Sequence, residues 1–172
     1  MDFFETIITR RSIRKFTTEP VKTEIIEKLL EAAMYAPSAR NTQAWFFDVI
    51  NERSLLDELS VIHPYAKMLR QAPLAILVCG DKKLEENEAY LSINCAAATQ
   101  NILLTAHSFG LGSVWLGIYP REERIKDIST LMKLPENALP VSLVAIGMPD
   151  EKKPHPQRFY KEKIIYNDKW KV

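Results

Sequence analysis

The sequence predicts a single domain that combines helices with strands. The chain has 172 residues, the usual length of one domain, and 47% of them are hydrophobic, which is enough to fill a core. Some apolar residues recur every three or four positions, as on one face of a helix. Others form continuous runs, as in buried strands. We find no internal repeat and no sign of a second domain.

The N-terminal third begins with two amphipathic helices. Phe3, Phe4, Ile7 and Ile8 have helical spacing and predict a short first helix. A longer apolar stripe predicts a second helix over residues 22–35, which must end near residue 36 because Pro37 disfavours helical geometry before it. Residues 38–42 are small and polar and predict a loop.

The middle of the chain alternates between strands and helices. The run WFFDVI predicts a strand over residues 45–50, and LAILVC predicts a buried strand over 74–79. Between them, residues 54–59 predict a short helix, with Ser54 as its N-cap and Asp57 three positions later.

Residues 89–109 predict the longest helix, which is apolar on nearly every side. Such a helix belongs either in a core or in a subunit interface. A glycine pair ends it at 110–112. A strand over 113–118, a helix over 122–131 and a strand over 141–147 then follow.

From residue 148 onward, prolines and charges surround isolated apolar residues such as Trp170, so this tail forms no core of its own. We expect residues 148–172 to be an extended arm that packs on a partner subunit. Cys79 and Cys95 lie in apolar runs without ligand-like neighbours, which indicates buried thiols and a reducing, cytoplasmic location. The acidic N-terminus is not that of a signal peptide.

Four cations and a hydroxyl occupy residues 10–15, directly after the first helix. Like charges this close repel one another, so an anion is expected to neutralise them, and guanidinium groups bind phosphate best. A solvated basic face and an arm for nucleic acid are the alternatives. Apolar Ile13 and Phe16 indicate a packed segment, and a net charge of +1 argues against nucleic acid.

Other motifs do not indicate chemistry of their own. The glycines between Gly110 and Gly117 follow a helix and do not match the GxGxxG dinucleotide fingerprint, although Gly117 would allow a flat ligand close to the backbone. His63, His107 and His155 are not spaced for a catalytic triad or a metal. If the protein is an enzyme, a bound cofactor carries its reaction.

Five segments, in this order, resemble the nitroreductase family of FMN-dependent NAD(P)H oxidoreductases: 10–16 (RRSIRKF), 37–45 (PSARNTQAW), 100–117 (QNILLTAHSFGLGSVWLG), 141–154 (VSLVAIGMPDEKKP) and 158–170. The resemblance implies an α+β fold with a central mixed, mainly antiparallel sheet flanked by helices. It also implies an intertwined homodimer with FMN at each end of the interface, the long helix forming that interface.

By similarity, one group of FMN-binding residues comes from the cationic segment and the tail. It comprises Arg10, Arg11, Ser12 and Arg14, together with Arg158. Arg10 and Arg158 would clamp the phosphate. Arg14 would lie near flavin N1 and the C2 carbonyl, where a cation stabilises the anionic reduced flavin.

A second group comes from the loop and the strand that follow the second and fourth helices. Gln43 would support the loop, and three loop residues would reach the FMN of the other subunit: Pro37, Ser38 and Asn41. Backbone N–H groups would bond the N5 edge at Leu116 and Gly117. No metal and no catalytic side chain is implied, since flavin N5 carries the hydride.

The implied reaction is ping-pong: NADH or NADPH reduces FMN, and an electron-poor nitroaromatic, quinone or enone then takes the electrons. Neither nucleic acid nor membrane is an implied partner. Two alternatives stay open, one within the class of flavin enzymes and one in a different class. One is a related reaction, such as dehalogenation or flavin fragmentation. The other is a flavin-binding or flavin-sensing protein with little turnover.

Overall fold

The computed structural model of the protein describes residues 2–155. Within them the chain forms five α-helices and four β-strands, with short 3₁₀ turns at Ala39–Asn41 and Lys67–Arg70. The elements in chain order are α1 (Phe3–Thr9), α2 (Thr23–Met34), β1 (Trp45–Ile50), α3 (Arg53–Ile62), β2 (Leu74–Asp81), α4 (Glu88–Ser108), β3 (Gly112–Gly117), α5 (Glu122–Leu131) and β4 (Ala138–Gly147).

The strands form one sheet in the order β1-β2-β4-β3, and every neighbouring pair is antiparallel. This confirms the α+β class. The sheet is mainly antiparallel, as expected, and the parallel pairing among the described residues is an isolated bridge between Ser12 and Ser113. That bridge is nevertheless important, because it attaches the cationic segment to the edge strand β3.

Helices cover both faces of the sheet. All residues of β2 and β4 are buried, as continuous apolar runs require. Alternate residues of β4 face opposite sides: Leu143 joins the cluster formed with α3 and α5, and Val144 joins the cluster formed with α2 and α4. The two clusters therefore cover the two faces of the sheet, and its edges are the strands β1 and β3.

The helix α4 has one buried face and one exposed face. Leu91, Cys95 and Ile102 are fully buried, as the predicted stripe requires, while Ile93 on the other side is 63% exposed. Its N-terminus is capped by the Asn87 side chain, which accepts from two backbone N–H groups. Since the core covers only one side, the second apolar face of α4 is open on the surface of the chain.

Two local predictions are corrected by the structure. Helix α3 begins at Arg53, and Ser54 does not cap it but donates to the Glu52 carboxylate at 2.6 Å. The reason is that Arg53 bonds the carbonyls of Leu69 and Ala72, which anchors the start of the helix. Strand β4 extends back to Ala138 and includes Pro140, which is accommodated by a bulge in β4, where Val141 has no partner in β2.

The first part of the predicted arm lies against its own chain. The Thr17 N–H donates to the Met148 carbonyl at 3.0 Å, and the Asp150 N–H donates to the Lys15 carbonyl at 2.9 Å. Residues 148–155 therefore run beside residues 11–17. The rest of the arm, including Arg158 and its predicted phosphate contact, lies outside the described residues.

None of the helices formed by residues 2–155 combines the length and hydropathy that a bilayer span requires. Over the same residues, no three His, Cys, Asp or Glu side chains converge where a metal ion could be held. Cys79 and Cys95 are free and buried, as predicted. Burial raises the pKa of the Cys95 thiol to about 12 and that of Cys79 further, so neither is a thiolate nucleophile near neutral pH.

Candidate functional site

The cationic segment is held along the open edge of β3. The Ile13 N–H donates to the Ser113 carbonyl at 3.0 Å, and the Ile13 side chain packs over Gly112. A Cβ at Gly112 would lie 2.8 Å from Ile13, so this close approach requires glycine. Ile13 and Phe16 are 9% and 3% exposed, which confirms that the segment is packed. The strand edge thereby carries Arg14 to a defined position.

Arg14 lines a cleft of about 530 Å³ at this edge. The facing wall is the turn after α3, which contributes Tyr65 and Lys67, and the floor is the end of β3, which contributes Leu116 and Gly117. The structure therefore brings three predicted site residues together, although they are separated by a hundred positions in the chain. Two cations and no carboxylate line the cleft among the described residues, so it favours an anionic group.

The backbone at the end of β3 presents hydrogen-bond donors to this cleft. The Ser113 and Gly117 carbonyls accept hydrogen bonds from outside the sheet, whereas the Ile118 N–H donates to Val141 of the neighbouring strand. In an antiparallel strand these directions alternate, so the N–H groups of Trp115 and Gly117 also face away from β4. An edge strand of this kind can bond a ligand through its main chain.

Gly117 leaves space beside the backbone that the protein itself does not use. A Cβ there would meet no atom within 4 Å, whereas at Gly147 it would lie 2.6 Å from Pro73. The packing of this chain therefore requires glycine at 147 and does not require it at 117. The glycine at 117 therefore leaves room for a flat group on the end of β3, in a place that a side chain would otherwise occupy.

The other cations of the cluster point elsewhere. Arg11 donates to the Pro154 carbonyl and lines a separate cavity of about 200 Å³. Arg10 lies near His107, and the pKa of the His107 imidazole is lowered first by burial and then by the charge of Arg10. The backbone N–H of Arg14 donates to the Glu151 carboxylate at 2.6 Å, so an acid also lies beside the cluster. The cluster is therefore divided among several contacts and does not converge on one anion within the described chain.

The predicted loop before β1 has a strained backbone. Arg40, Asn41 and Gln43 have φ angles of 54°, 55° and 48°, in the left-handed region that most residues avoid. Ser38 Oγ accepts from the Gln43 N–H at 3.0 Å, and Asn94 Oδ1 of α4 accepts from the Ala39 N–H at 3.0 Å. These bonds, and one from Gln43 Nε2 to Asn41 Oδ1 at 3.3 Å, support the loop in one conformation.

The loop and the cleft are on opposite edges of the sheet. Pro37, Ser38, Asn41 and Gln43 precede β1, while Leu116 and Gly117 end β3, and these strands are three strand spacings apart, about 14 Å. Two polar atoms near the loop, Thr42 Oγ1 and Asn94 Nδ2, are buried without a hydrogen-bond partner among the described residues. One copy of the chain therefore does not bring the two groups of predicted residues together.

Sequence reasoning missed His63 and Lys67, which line the cleft, and Arg124, which donates to the Gly117 carbonyl. His63 is 1% exposed, and burial and Arg124 lower its pKa, although its hydrogen bond to Gly117 opposes this. The dipeptide His63-Pro64 after α3 indicated a turn in the sequence, but it did not indicate the hydrogen-bond partner of the His63 side chain. The partner is a carbonyl 54 residues away, which the sequence pattern alone does not reveal.

A second concave surface lies between α1, α2 and α4. It is a groove of about 590 Å³ whose walls include Phe3, Tyr35, Leu104 and Phe109. Phe3 is 77% exposed and Tyr35 is 81% exposed in the isolated chain. An apolar surface of this extent, continuous with the open face of α4, is typical of a protein–protein contact.

Comparisons with known proteins agree with the resemblance. The model of the nitroreductase family matches residues 7–62 and 60–148. A candidate NADH dehydrogenase/NAD(P)H nitroreductase of Methanothermobacter thermautotrophicus is 43% identical over 170 residues, which cover 99% of this chain and 88% of that protein.

Solved structures with the same fold include a candidate NADH dehydrogenase/NAD(P)H nitroreductase from Parabacteroides distasonis. Its TM-score is 0.92 at 38% sequence identity, and the match covers 97% of this chain and 98% of the Parabacteroides chain. A candidate nitroreductase from Desulfovibrio desulfuricans, solved in complex with FMN, has a TM-score of 0.82 at 33% identity, with 95% of each chain covered. Sequence, fold and family match together show that this chain belongs to the nitroreductase family.

Proposed function

We propose that the protein is an FMN-dependent oxidoreductase that uses NADH or NADPH as its electron donor. The observation that carries the proposal is the cleft in which Arg14 and Lys67 face the N–H edge of β3, beside Gly117, where an added Cβ would meet no protein atom within 4 Å. Each feature suits a flavin: cations for its electron-rich pyrimidine edge, donors for its N5 edge, and a flat space for its ring. Relatives named as NAD(P)H nitroreductases and a relative solved with FMN support the same proposal.

FMN supplies the redox chemistry when bound, by accepting hydride from NADH or NADPH and passing two electrons to the acceptor in a ping-pong sequence. The residues of this chain bind FMN and tune its tendency to accept electrons. Arg14 and Lys67 stabilise negative charge in the cleft, and the Gly117 N–H is a donor at its floor. Ser12 and Leu116 complete the proposed FMN-binding set from the same subunit, with Arg158 from the arm. The resemblance also assigns Arg10 and Arg11 to this set, but in the described chain they lie beside His107 and Pro154, so their side chains would have to turn to reach a phosphate.

The proposed site is completed by a second copy of the chain. Pro37, Ser38, Asn41 and Gln43 lie on the edge of the sheet opposite the cleft, so they act on the cleft of a partner subunit. The exposed apolar face of α4 and the groove beside it support this homodimer.

Electron-poor small molecules, namely nitroaromatics, quinones or enones, are the proposed acceptors. The cleft is open to solvent and free of carboxylates among the described residues, so donor and acceptor enter the same place in turn. A cytoplasmic location belongs to the proposal, because both cysteines are free thiols.

The visible spectrum of freshly purified protein tests this function, recorded before and after NADH or NADPH is added without oxygen. We expect flavin bands that bleach on addition. Bands that persist with both nucleotides would show a flavin-binding protein without this reductase activity. A colourless protein that also fails to take up added FMN would overturn the proposal.

A further inference from the structure

One carbonyl in the floor of the cleft accepts two side-chain hydrogen bonds. Arg124 Nη1 donates to the Gly117 oxygen at 2.8 Å, and His63 Nε2 donates to the same oxygen at 3.0 Å. Arg124 comes from α5 and His63 from the turn after α3, so three elements meet at this atom. Both lone pairs of the carbonyl are thus engaged, one of them by a charged donor.

The surroundings of His63 determine its tautomer. The Tyr65 backbone N–H donates to His63 Nδ1 at 3.3 Å, so Nδ1 is an acceptor and the proton is on Nε2. Burial lowers the pKa of His63, which keeps the ring neutral near pH 7. Since both ring nitrogens bond the backbone, His63 has no nitrogen left to exchange protons with a substrate.

Arg124 connects the same carbonyl to the opposite wall of the cleft. Its guanidinium carbon lies 5.3 Å from the centre of the Tyr65 ring, a cation–π contact. Tyr65 is 68% exposed and lines the cleft together with His63 and Gly117. His63 and Arg124 therefore link the floor of the cleft to its wall on two separate paths.

This support matters because Gly117 is the last residue of an edge strand. Glycine restricts its own backbone less than any other residue, and no further strand pairs with this edge among the described residues. The Ile118 N–H already holds one side of the peptide group after Gly117 by its bond to Val141, and the two donors hold the carbonyl side of the same group. Without the two donors, the Gly117 carbonyl would lose both of these partners, and the backbone of Gly117, whose own N–H faces the cleft, would be less restrained.

We propose that His63 and Arg124 are positioning residues that fix the end of β3 through the Gly117 carbonyl, so that its N–H groups are oriented for FMN. The inference rests on the proposed function, because it assigns these residues to the flavin site. Neither residue is a catalytic residue, since each acts through the backbone of Gly117.

Matched variants of His63 distinguish the contributions of its two ring nitrogens, Nε2 and Nδ1, to FMN binding. His63→Gln keeps an N–H donor near the Nε2 position and should bind FMN nearly as the wild type does. His63→Asn keeps a polar group near the Nδ1 position but does not reach Gly117. We expect it to weaken FMN binding by roughly fivefold to tenfold, the cost of one hydrogen bond. The measurements are the FMN dissociation constant by fluorescence and the midpoint potential of the bound flavin.

Arg124→Met tests the second donor on a half-buried helix, where folding is least affected, and Arg121→Met is its control. Arg121 precedes the same helix and makes no side-chain contact with Gly117 among those described. We expect Arg124→Met, but not Arg121→Met, to weaken FMN binding and shift the midpoint potential. The double variant His63→Asn/Arg124→Met should lose more than the product of the single losses, since each donor partly replaces the other.

The outcomes separate this inference from the proposed function. If the wild-type protein binds no FMN, the proposed function fails. If the wild type binds FMN, and the His63→Asn and Arg124→Met variants fold and keep the wild-type FMN affinity and flavin midpoint potential, only the positioning role fails. Variants that lower the melting temperature alone, with FMN affinity and potential unchanged, would show a purely structural role and overturn the inference.

Discussion

The guanidinium of Arg40 is hydrogen-bonded to the carboxylate of Glu85, which is 45 residues away and 3% exposed. Arg40 has a left-handed backbone, with φ at 54°, and lies in the loop that carries Ser38 and Asn41. The second Glu85 oxygen accepts from the Asn87 N–H at 3.0 Å, just before α4. One buried carboxylate thus joins a strained loop to the start of the long helix.

The charge on Glu85 should make this connection dependent on pH. The hydrogen bond from Arg40, followed by that from Asn87, lowers the pKa of Glu85. Because this pKa is lower in the folded protein than in the unfolded chain, the Glu85 carboxylate stabilises the folded state. The stabilisation is complete above the unfolded-state pKa of about 4.3 and is lost as the pH falls through the folded-state pKa. We expect Glu85→Gln to melt at a lower temperature than wild type at pH 7, and the two melting curves to converge in acid.

Glu86→Gln is the matched control for this prediction, because Glu86 is the exposed neighbour of Glu85. It should melt like the wild type at pH 7. A constant difference between wild type and Glu85→Gln from pH 7 to pH 3 would mean that the carboxylate charge does not stabilise the loop.

Arg14→Ala should weaken the proposed FMN site without unfolding the protein. Arg14 is exposed and lines the cleft, so its loss removes a cation from the site and leaves the core intact. We expect a retained dimer, an FMN dissociation constant raised roughly tenfold or more, and a lower flavin reduction potential. Lys15→Ala, at the next position but not lining this cleft, is the control. Unchanged flavin affinity and potential would refute the role given to Arg14.

Alanine at two glycines should separate ligand binding from stability. Gly117→Ala adds a methyl group where no protein atom lies within 4 Å, so the free energy of unfolding should stay within about 0.5 kcal/mol of wild type. Its FMN affinity should fall, because the methyl group enters the cleft. Gly112→Ala places a Cβ 2.8 Å from Ile13 and should destabilise the fold by about 1–3 kcal/mol. Denaturant titration and FMN binding measure the two effects. Full FMN affinity in Gly117→Ala would place the flavin elsewhere.

A charge on the open face of α4 should dissociate the proposed dimer. Ile93 is 63% exposed on this face, so Ile93→Glu introduces a carboxylate into an interface that is otherwise apolar. We expect a monomer by light scattering and loss of FMN, because each site needs the loop of the other copy. Val61→Glu is the control: Val61 is 71% exposed on α3, which packs on the opposite face of the sheet. A dimeric Ile93→Glu protein would place the interface on another surface.

Helices and strands have nearly the predicted bounds where the hydrophobic pattern of the sequence is strong. The strand β1 and the helix α5 have the bounds that hydrophobic runs and periodicity predicted, and α4 differs by one residue at each end. The predictions that were wrong depended on distant contacts. The start of α3 is set by carbonyls near residue 70, and the start of β4 depends on a bulge at Val141 in its pairing with β2.

The sequence by itself determined the elements, the packed cationic segment, the buried thiols and the family motifs, because these depend on neighbours within a few positions. Only the tertiary structure decided that Arg14 lines the cleft while Arg11 turns to another cavity. It also decided that His63 and Arg124 meet at the Gly117 carbonyl and that Arg40 bonds Glu85. These contacts depend on strand order and helix packing, which bring together residues that no local pattern relates.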